Sequence, residues 1–284
     1  MKIERIYGIY FSPTGSTEQV VRAVSAGAAT TFGSISPQYI DLTPPQARTA
    51  DLQFGPGDLV VIGSPTYAGR LPNKVMPDLR AHILGGTQDP GPLCLPVVTF
   101  GNRSYDESLK ELAQLMKKNG FTVVAGAAAV CRHAFTDQLA EGRPDAADLD
   151  DLATFGSRAA GRILEGSASQ APGTALTALL EEEVGSYYTP RQEDGTPAKF
   201  LKVKSKADPG KCNRCMLCAA VCPMGSIDRG DPFSVPGICI KCQACVRGCP
   251  EHAKYFDDAA FLSHVAMLEQ NFTAPKENAF FYAE

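Results

Sequence analysis

The sequence predicts an α/β protein built on a doubly wound, five-stranded parallel sheet and joined to a small α+β module rich in cysteine. Apolar segments alternate with amphipathic helical patterns over the first half of the chain, which is typical of a parallel sheet covered on both faces. Eight of the ten cysteines lie between Cys212 and Cys249, so they serve one compact module. The length of 284 residues also fits two domains better than one.

Five apolar segments are the candidate strands, and Gly or Pro marks most of their ends. They span residues 6–11, 39–42, 59–62, 93–100 and 121–131. Helical patterns lie between or after them, over residues 17–29, 73–84, 108–118 and 146–164. In a doubly wound sheet of this order, ligands bind outside the carboxyl ends of the strands. The loops after the first, third and fourth strands are therefore the candidate ligand site.

The second half of the chain is less regular. Residues 185–211 are rich in Pro, Gly and charge, which predicts a connector with a short edge strand over residues 200–203. A further helix is predicted over residues 257–270, with Phe261, Val265 and Leu268 on the face that packs against a domain. We assign residues 1–168 to the α/β domain, 169–204 to the connector, 205–255 to the cysteine module, and 256–284 to a C-terminal helix and tail that pack on the domains.

Composition and charge exclude several classes of protein. The net charge is −4, so the chain has no general attraction to phosphate backbones and we expect no nucleic-acid partner. Lys2, Glu4 and Arg5 stand where a secretory signal needs its apolar core. The longest apolar run, residues 123–131, is about half the length of a membrane span. We therefore expect a cytoplasmic protein with no membrane span.

The cysteines form one internal repeat. The pattern Cys-x2-Cys-x2-Cys-x3-Cys-Pro occurs twice, at positions 27 residues apart, which indicates a duplicated half-module. Three thiolates on such a loop reach three corners of a [4Fe-4S] cluster, while the fourth cysteine ligates the other cluster. The predicted ligands of the first cluster are Cys212, Cys215, Cys218 and Cys249, and those of the second are Cys239, Cys242, Cys245 and Cys222.

Other uses of these cysteines fit the pattern less well. Zinc sites use paired Cys-x2-Cys knuckles and do not call for a third cysteine in the same frame. Disulfides between residues three apart would be strained, and a reducing compartment disfavours them. Cys94 and Cys131 lie inside predicted strands, where we expect inert core residues. Residues 206–254 resemble the bacterial two-cluster ferredoxins, and this resemblance implies two clusters close enough for rapid electron exchange.

The loop after the first strand is built of hydroxyl residues and glycine. Residues 12–17 read Ser-Pro-Thr-Gly-Ser-Thr and enter a helix. Such a turn presents N–H groups and side-chain donors to a phosphate, favoured by the helix N-terminus. It lacks the Lys of a nucleoside-triphosphate loop, and the chain has no Gly-x-Gly-x-x-Gly. Taken alone, the hydroxyl residues are also compatible with a simple helix N-cap.

Two further loops favour a flat aromatic ligand. Residues 63–69 read Gly-Ser-Pro-Thr-Tyr-Ala-Gly, and residues 99–106 read Thr-Phe-Gly-Asn-Arg-Ser-Tyr-Asp. Both place glycine for close backbone approach, and an aromatic residue, at the edge where the first loop also ends. Arg103 and Tyr105 are also compatible with ordinary packed residues of the rim. A conjugated ring held between the two loops is the ligand that the arrangement favours.

The three loops resemble the FMN-binding loops of flavodoxins. The whole chain resembles the flavodoxin-ferredoxin fusion proteins, including its Gly-Asn-Arg-x-Tyr-Asp run and its connector over residues 187–204. This resemblance implies that FMN is the cofactor. The residues that it places on the FMN phosphate are Ser12, Thr14, Gly15, Ser16 and Thr17. Those that it places beside the isoalloxazine ring are Pro65, Thr66, Tyr67 and Gly69 on one side, and Thr99, Gly101, Asn102, Arg103 and Tyr105 on the other. Many flavodoxins stack Trp on the flavin, and this chain has no Trp, so Tyr67 or Tyr105 would replace it.

FMN accepts one or two electrons, whereas each cluster passes one at a time. Our first hypothesis is an electron-transfer protein that relays electrons between FMN, two [4Fe-4S] clusters and external redox proteins. The second is an enzyme of the flavin or quinone reductase type, with His133 and Tyr67 as candidate proton donors. The third is a binding or scaffolding module with an empty flavodoxin-like domain. Eight cluster cysteines imply oxygen sensitivity, so we expect an anaerobic or well-protected cytoplasm.

Overall fold

A parallel sheet forms the centre of the N-terminal domain in the computed structural model, which describes residues 2–33, 35–166 and 174–282. Five parallel strands follow the order β2-β1-β4-β6-β8. In chain order the strands are β1 (Arg5–Tyr10), β2 (Gln38–Asp41), β3 (Leu52–Gln53), β4 (Asp58–Pro65), β5 (Ile83–Leu84), β6 (Leu93–Phe100), β7 (Thr122–Val123), β8 (Ala125–Val130), β9 (Lys206–Ala207), β10 (Lys254–Tyr255) and β11 (Ala279–Tyr282). Counted among the parallel strands alone, this order is 2-1-3-4-5, which is the flavodoxin-like arrangement. The predicted fold class is confirmed.

Helices cover both faces of the sheet. They are α1 (Ser16–Thr31), α2 (Met76–His82), α3 (Ser108–Lys118), α4 (Ala146–Leu164), α5 (Thr174–Glu181), α6 (Leu217–Ala220), α7 (Ala244–Arg247) and α8 (Ala259–Asn271). On one face α1 and α4 share a buried apolar cluster, and on the other α2 and α3 share a second. A Cβ atom on Gly27 would lie 1.8 Å from the Ala153 carbonyl oxygen, and one on Gly156 would lie 2.1 Å from that of Val24. Helices α1 and α4 therefore touch backbone to backbone through two glycines.

Two of the predicted elements are wrong in type or length. The helix predicted over residues 73–84 is confined to α2, because Ile83 and Leu84 leave it to pair with β3. The edge strand predicted over residues 200–203 is a turn, in which the Val203 N–H donates to the Phe200 carbonyl at 3.1 Å. Phe200 is buried against the ring of Phe261, 5.4 Å between centroids. The apolar Phe200 side chain therefore packs against α8, and the described residues 200–203 form no strand.

The last described residues add an antiparallel strand to the sheet. Strand β11 pairs with β8, with Phe280 opposite Ala127. The Phe280 ring stacks on that of Phe155 in α4, 5.2 Å between centroids. The Asn278 side chain accepts the Val130 N–H at 2.9 Å. The sequence pattern did not predict this strand, which covers the outer edge of the parallel sheet.

The two halves of the cysteine module share one backbone conformation. Arg214 and Lys241 occupy equivalent positions with φ values of 59° and 56°, and Met216 and Gln243 do so with 63° and 66°. Each half then forms a single helical turn, α6 or α7. The shared geometry is that of a duplicated unit.

The assigned domain limits stay a prediction, and the limit between residues 168 and 169 lies outside the described residues. In the ranges that the structure describes, no helix combines the length and the apolar character needed to cross a bilayer.

Candidate functional site

The loops that follow β1, β4 and β6 join at the carboxyl edge of the sheet. The hydroxyls of Thr17 and Thr99 share a hydrogen bond of 2.9 Å, and the Thr66 N–H donates to the Thr99 carbonyl at 2.8 Å. The Gly69 carbonyl accepts the Glu107 N–H at 2.9 Å. The structure therefore brings the three predicted flavin loops into one continuous surface.

Residues 12–17 form the turn that opens α1. Gly15 has a φ of +87°, and a side chain there would meet nothing within 4 Å, so the turn is open at this point. The Ser12 hydroxyl accepts the Glu18 N–H at 3.0 Å. Within the described part of the chain, the N–H groups of this turn that have no hydrogen-bond partner are those of Thr14, Ser16 and Thr17. Free donors at a helix N-terminus fit a phosphate group.

The loop after β4 closes in a tight turn between Tyr67 and Arg70. Their backbones exchange hydrogen bonds of 2.8 and 3.1 Å, and the central residues, Ala68 and Gly69, both have positive φ. A Cβ atom on Gly69 would lie 2.4 Å from Oδ2 of Asp106, in the third loop. Glycine at position 69 is therefore required both by the turn and by the contact with the neighbouring loop.

The remaining predicted residues of this loop lie at its start. Pro65 ends β4 opposite Thr99 in β6. The Thr66 hydroxyl shares a hydrogen bond of 2.7 Å with the hydroxyl of Ser108. The hydroxyls of Thr17 and Thr99 also bond to each other, so the hydroxyls of Thr17, Thr66 and Thr99 each have a partner within the protein.

Tyr67 points from the flavin loops toward the cysteine module. Burial raises the pKa of its hydroxyl well above the ordinary value, and the negative charges of the Cys242 and Cys239 thiolates act in the same direction. These two cysteines are predicted ligands of the second cluster. The phenol of Tyr67 is therefore near both predicted cofactors.

The loop after β6 packs against His133 and is hydrogen-bonded to the C-terminal segment. A Cβ atom on Gly101 would lie 2.4 Å from Cδ2 of His133. The side-chain amide of buried Asn102 donates to the carbonyls of Phe272 and Ala274 at 2.6 and 3.1 Å, and its oxygen accepts the Lys276 N–H at 3.0 Å. The Asn102 side chain is thus used by the C-terminal segment, and a flavin contact of this residue would be made by its main chain.

The connector covers the rim formed by these loops. The Arg103 side chain pairs with Asp106, and its guanidinium lies 3.9 Å from the centre of the Tyr188 ring. The Tyr188 N–H donates to the Ala68 carbonyl at 2.8 Å. Tyr105 packs edge-on against Phe100 instead, 5.4 Å between ring centroids. Tyr188 is an aromatic side chain beside the site that the sequence motifs did not single out, since it lies far away in the chain.

His133 does not have the chemistry of a proton donor. Burial, together with the nearby charges of His264, Arg103 and Arg247, lowers its pKa to about 3. Its Nδ1 accepts the Phe135 N–H at 3.1 Å. The imidazole is therefore neutral near pH 7, and it packs behind Gly101 in a structural role.

Two cavities in the cysteine module are each lined by four predicted ligands. The cavity that we call the first is lined by Cys212, Cys215, Cys218 and Cys249. The second is lined by Cys239, Cys242, Cys245 and Cys222. In each cavity the fourth cysteine comes from the other half of the repeat, as a two-cluster module requires. Four thiols around one cavity fit a polynuclear cluster.

Backbone donors and one buried cation surround these thiols. The Ser226 N–H donates to Sγ of Cys222, and the Ala253 N–H donates to Sγ of Cys249, both at 3.3 Å. Lys254 lines the first cavity and is 3% exposed. Its Nζ donates to the Pro232 carbonyl at 2.9 Å. A buried ammonium beside the thiolates stabilises their negative charge.

The comparisons with known families agree with this geometry. Residues 206–228 match a family described as "4Fe-4S binding domain", and residues 236–256 match a second family with the same description. Each match contains one complete four-cysteine motif. No curated protein matches the chain.

Solved structures similar to the chain include two flavodoxins. One is a flavodoxin from the domain Archaea, 17% identical, with a TM-score of 0.40, covering 57% of this chain and 99% of that one. Another is the reduced flavodoxin of Megasphaera elsdenii, 16% identical, with a TM-score of 0.35, covering 55% and 98%. The rubredoxin oxygen:oxidoreductase of Desulfovibrio gigas is 18% identical, with a TM-score of 0.38, and covers 60% of this chain and 38% of that one.

The fold assignment of the N-terminal domain comes from its strand order, and that of the module comes from its two matched motifs. The chain therefore joins a flavodoxin-like α/β domain to two 4Fe-4S binding domains, which is consistent with a flavodoxin-ferredoxin fusion.

Proposed function

We propose that this protein transfers electrons between FMN, bound at the carboxyl edge of the parallel sheet, and two [4Fe-4S] clusters, and exchanges electrons with external redox proteins. The observation that carries the proposal is the pair of four-cysteine cavities in the same chain as the flavin loops, the second of them near Tyr67 of those loops. FMN supplies a carrier of one or two electrons, and each cluster supplies a one-electron carrier.

The chain's own residues have three tasks in this function. The free N–H groups of residues 14, 16 and 17 bind the phosphate without a cationic side chain. The loops of residues 65–69 and 99–105 hold the ring from two sides. The eight motif cysteines hold the clusters, and donors such as the Ser226 N–H stabilise the charge on sulfur.

Two features favour a carrier over a reductase of small substrates. The connector lies over the rim of the flavin loops through the contact between Arg103 and Tyr188. His133, a candidate proton donor, is buried and neutral. The flavin rim thus carries a connector contact and has no imidazolium from His133 for chemistry on a small substrate.

Anaerobic purification followed by cofactor analysis tests the proposal. We expect one released FMN and about eight iron atoms per chain, with FMN bound at least about 100-fold more tightly than riboflavin because only FMN carries the phosphate. Cys242→Ala is expected to lose one cluster. The control Cys94→Ala, which replaces a buried cysteine of β6 outside the motifs, is expected to keep both.

Other results would contradict the proposal in recognisable ways. Clusters without flavin would leave a ferredoxin attached to an empty scaffolding domain. Rapid steady-state reduction of a quinone would favour the reductase. Equal affinity for FMN and riboflavin would show that residues 12–17 do not bind the phosphate.

A further inference from the structure

The duplicated module allows its two cavities to be compared position by position. Cys215 and Cys242 are the second cysteines of the two motifs. Cys215 is exposed, whereas Cys242 is 8% exposed. Because the two backbones have the same conformation, the difference arises from what each half packs against.

The side of the module that contains the second cavity packs against the α/β domain. The buried Arg48 side chain donates through Nη2 to the carbonyl of Pro223, the residue after Cys222, at 2.8 Å. Arg247, at the end of α7, donates to the carbonyls of His133 and Ala134 at 2.9 and 3.1 Å. Met224 and Ile240, which line the second cavity, also pack against the apolar core of the α/β domain.

The described segment that carries Cys212, Cys215 and Cys218 makes no such polar contact with that domain. Among the described residues, no hydrogen bond or ion pair joins residues 206–221 to residues 2–166. Leu217 and Val221, in and beside α6, are 45% and 39% exposed. The first cavity therefore has a free rim around Cys215, whereas Tyr67 of the flavin loops lies near the second.

From this asymmetry we infer that the second cavity holds the inner centre, which exchanges electrons with the flavin, and that the first holds the outer centre, which exchanges them with a one-electron redox protein. Only the part of this inference that concerns the flavin rests on the proposed function. In each step one electron leaves a reduced centre and reaches the next centre; no bond passes between the centres, and a proton that the flavin releases on oxidation goes to solvent. The rate of electron transfer falls steeply with distance. A partner protein can approach the first cavity closely at exposed Cys215, whereas the second cavity, at buried Cys242, is closer to the flavin loops.

Charge placed beside each cavity tests which one receives the partner. Leu217 lines the first cavity, and Ile238, 56% exposed, lies at the rim of the second. We would make Leu217→Glu, Leu217→Lys, Ile238→Glu and Ile238→Lys. The reduced proteins would be mixed anaerobically with oxidised c-type cytochrome, a cationic one-electron acceptor, at low ionic strength.

At position 217 we expect Glu to raise and Lys to lower the second-order rate constant, each by about threefold or more. At position 238 the change should stay below about 1.5-fold. Since the two Glu variants have the same net charge, any difference between them reports the place of contact. A larger effect at position 238, or equal effects at both, would overturn the assignment of the outer centre, and so would no effect at either.

A cluster-loss variant tests the inner centre. In Cys242→Ser we expect the flavin of the reduced protein to be reoxidised by cytochrome at least about tenfold more slowly, while the remaining cluster reacts at the wild-type rate. Unchanged flavin reoxidation would overturn the inner assignment. If the protein holds no FMN, the proposed function fails, whereas the comparison of positions 217 and 238 still decides which cluster faces the partner.

Discussion

Replacing Arg247 with Ala should loosen the loop that holds His133, because the Arg247 side chain joins this loop to the module. Its guanidinium donates to the His133 and Ala134 carbonyls and to Oδ1 of Asp137, the last at 2.7 Å. Each carbonyl left without its donor costs about 1 kcal/mol. The ion pair adds about 0.5 kcal/mol, since the Asp137 side chain is 63% exposed. The total is about 2.5 kcal/mol, or a factor of about 60 in the opening equilibrium.

Amide hydrogen exchange measures this opening directly. The His133 N–H donates to the Leu139 carbonyl at 3.0 Å, and the Phe135 N–H donates to Nδ1 of His133 at 3.1 Å. Both amides should exchange about 60-fold faster in Arg247→Ala when exchange follows the opening equilibrium. Arg247→Lys should recover only part of the protection, because an ammonium lacks the planar fork. The control is Arg229→Ala, at an exposed position of the same module. If Arg247→Ala and Arg229→Ala exchange alike, the reasoning is refuted.

Three further outcomes follow from other residues. The pKa of His133 is lowered in the folded protein to about 3, so the unfolded chain binds a proton that the folded one does not between about pH 3 and 6.5. Stability should therefore fall by about 1.3 kcal/mol from about pH 7 to 5.5. His133→Gln should lack this loss in urea unfolding, whereas exposed His252→Gln should retain it. Lys254→Met should lower the reduction potentials of the clusters by about 40–120 mV, or about 1–3 kcal/mol per electron, because a buried positive charge is lost. Exposed Lys211→Met should shift them little. Equal shifts for the two variants in redox titrations would contradict a role of Lys254 in stabilising the clusters. Gly101→Ala should lower the free energy of unfolding by about 1–3 kcal/mol and weaken FMN binding, because the new methyl group meets His133. Gly161→Ala, with open space around its Cβ position, should do neither. Wild-type FMN affinity in Gly101→Ala would show that His133 moves aside without displacing the loop.

Elements specified by nearby residues were predictable from the sequence. Helices α3 and α4 have the predicted bounds, and α4 begins with a capping box in which Asp145 and Asp148 each accept a backbone N–H of the other. The two cysteine sets follow from ligand spacing, which is a local property of each motif, and each set lines one cavity. Their role as cluster ligands stays a prediction.

Contacts between distant residues left no signal in the sequence pattern. Asn102 stands in a motif that resembles a flavin loop, yet its amide binds carbonyls about 170 residues away. Arg48 lies in a short turn and gives no sign that its guanidinium reaches Pro223. In the sequence, Phe280 to Tyr282 look like an apolar tail. Nothing near them in the chain indicates that they pair with β8, which lies about 150 residues earlier. Pairing of this kind depends on tertiary packing, which overrides local propensity.

The order of the chain gives strand β11 a consequence for assembly. The edge of the sheet and the partners of Asn102 come from residues 272–282, after the cluster module has been traversed. Topologically, the module is therefore an insertion within the α/β domain. A ribosome completes both cysteine motifs before it makes the segment that fixes the third flavin loop. The flavin loop can therefore be fixed only after the module has been synthesised, and a chain cut directly after the module would lack both the edge strand and the partners of Asn102.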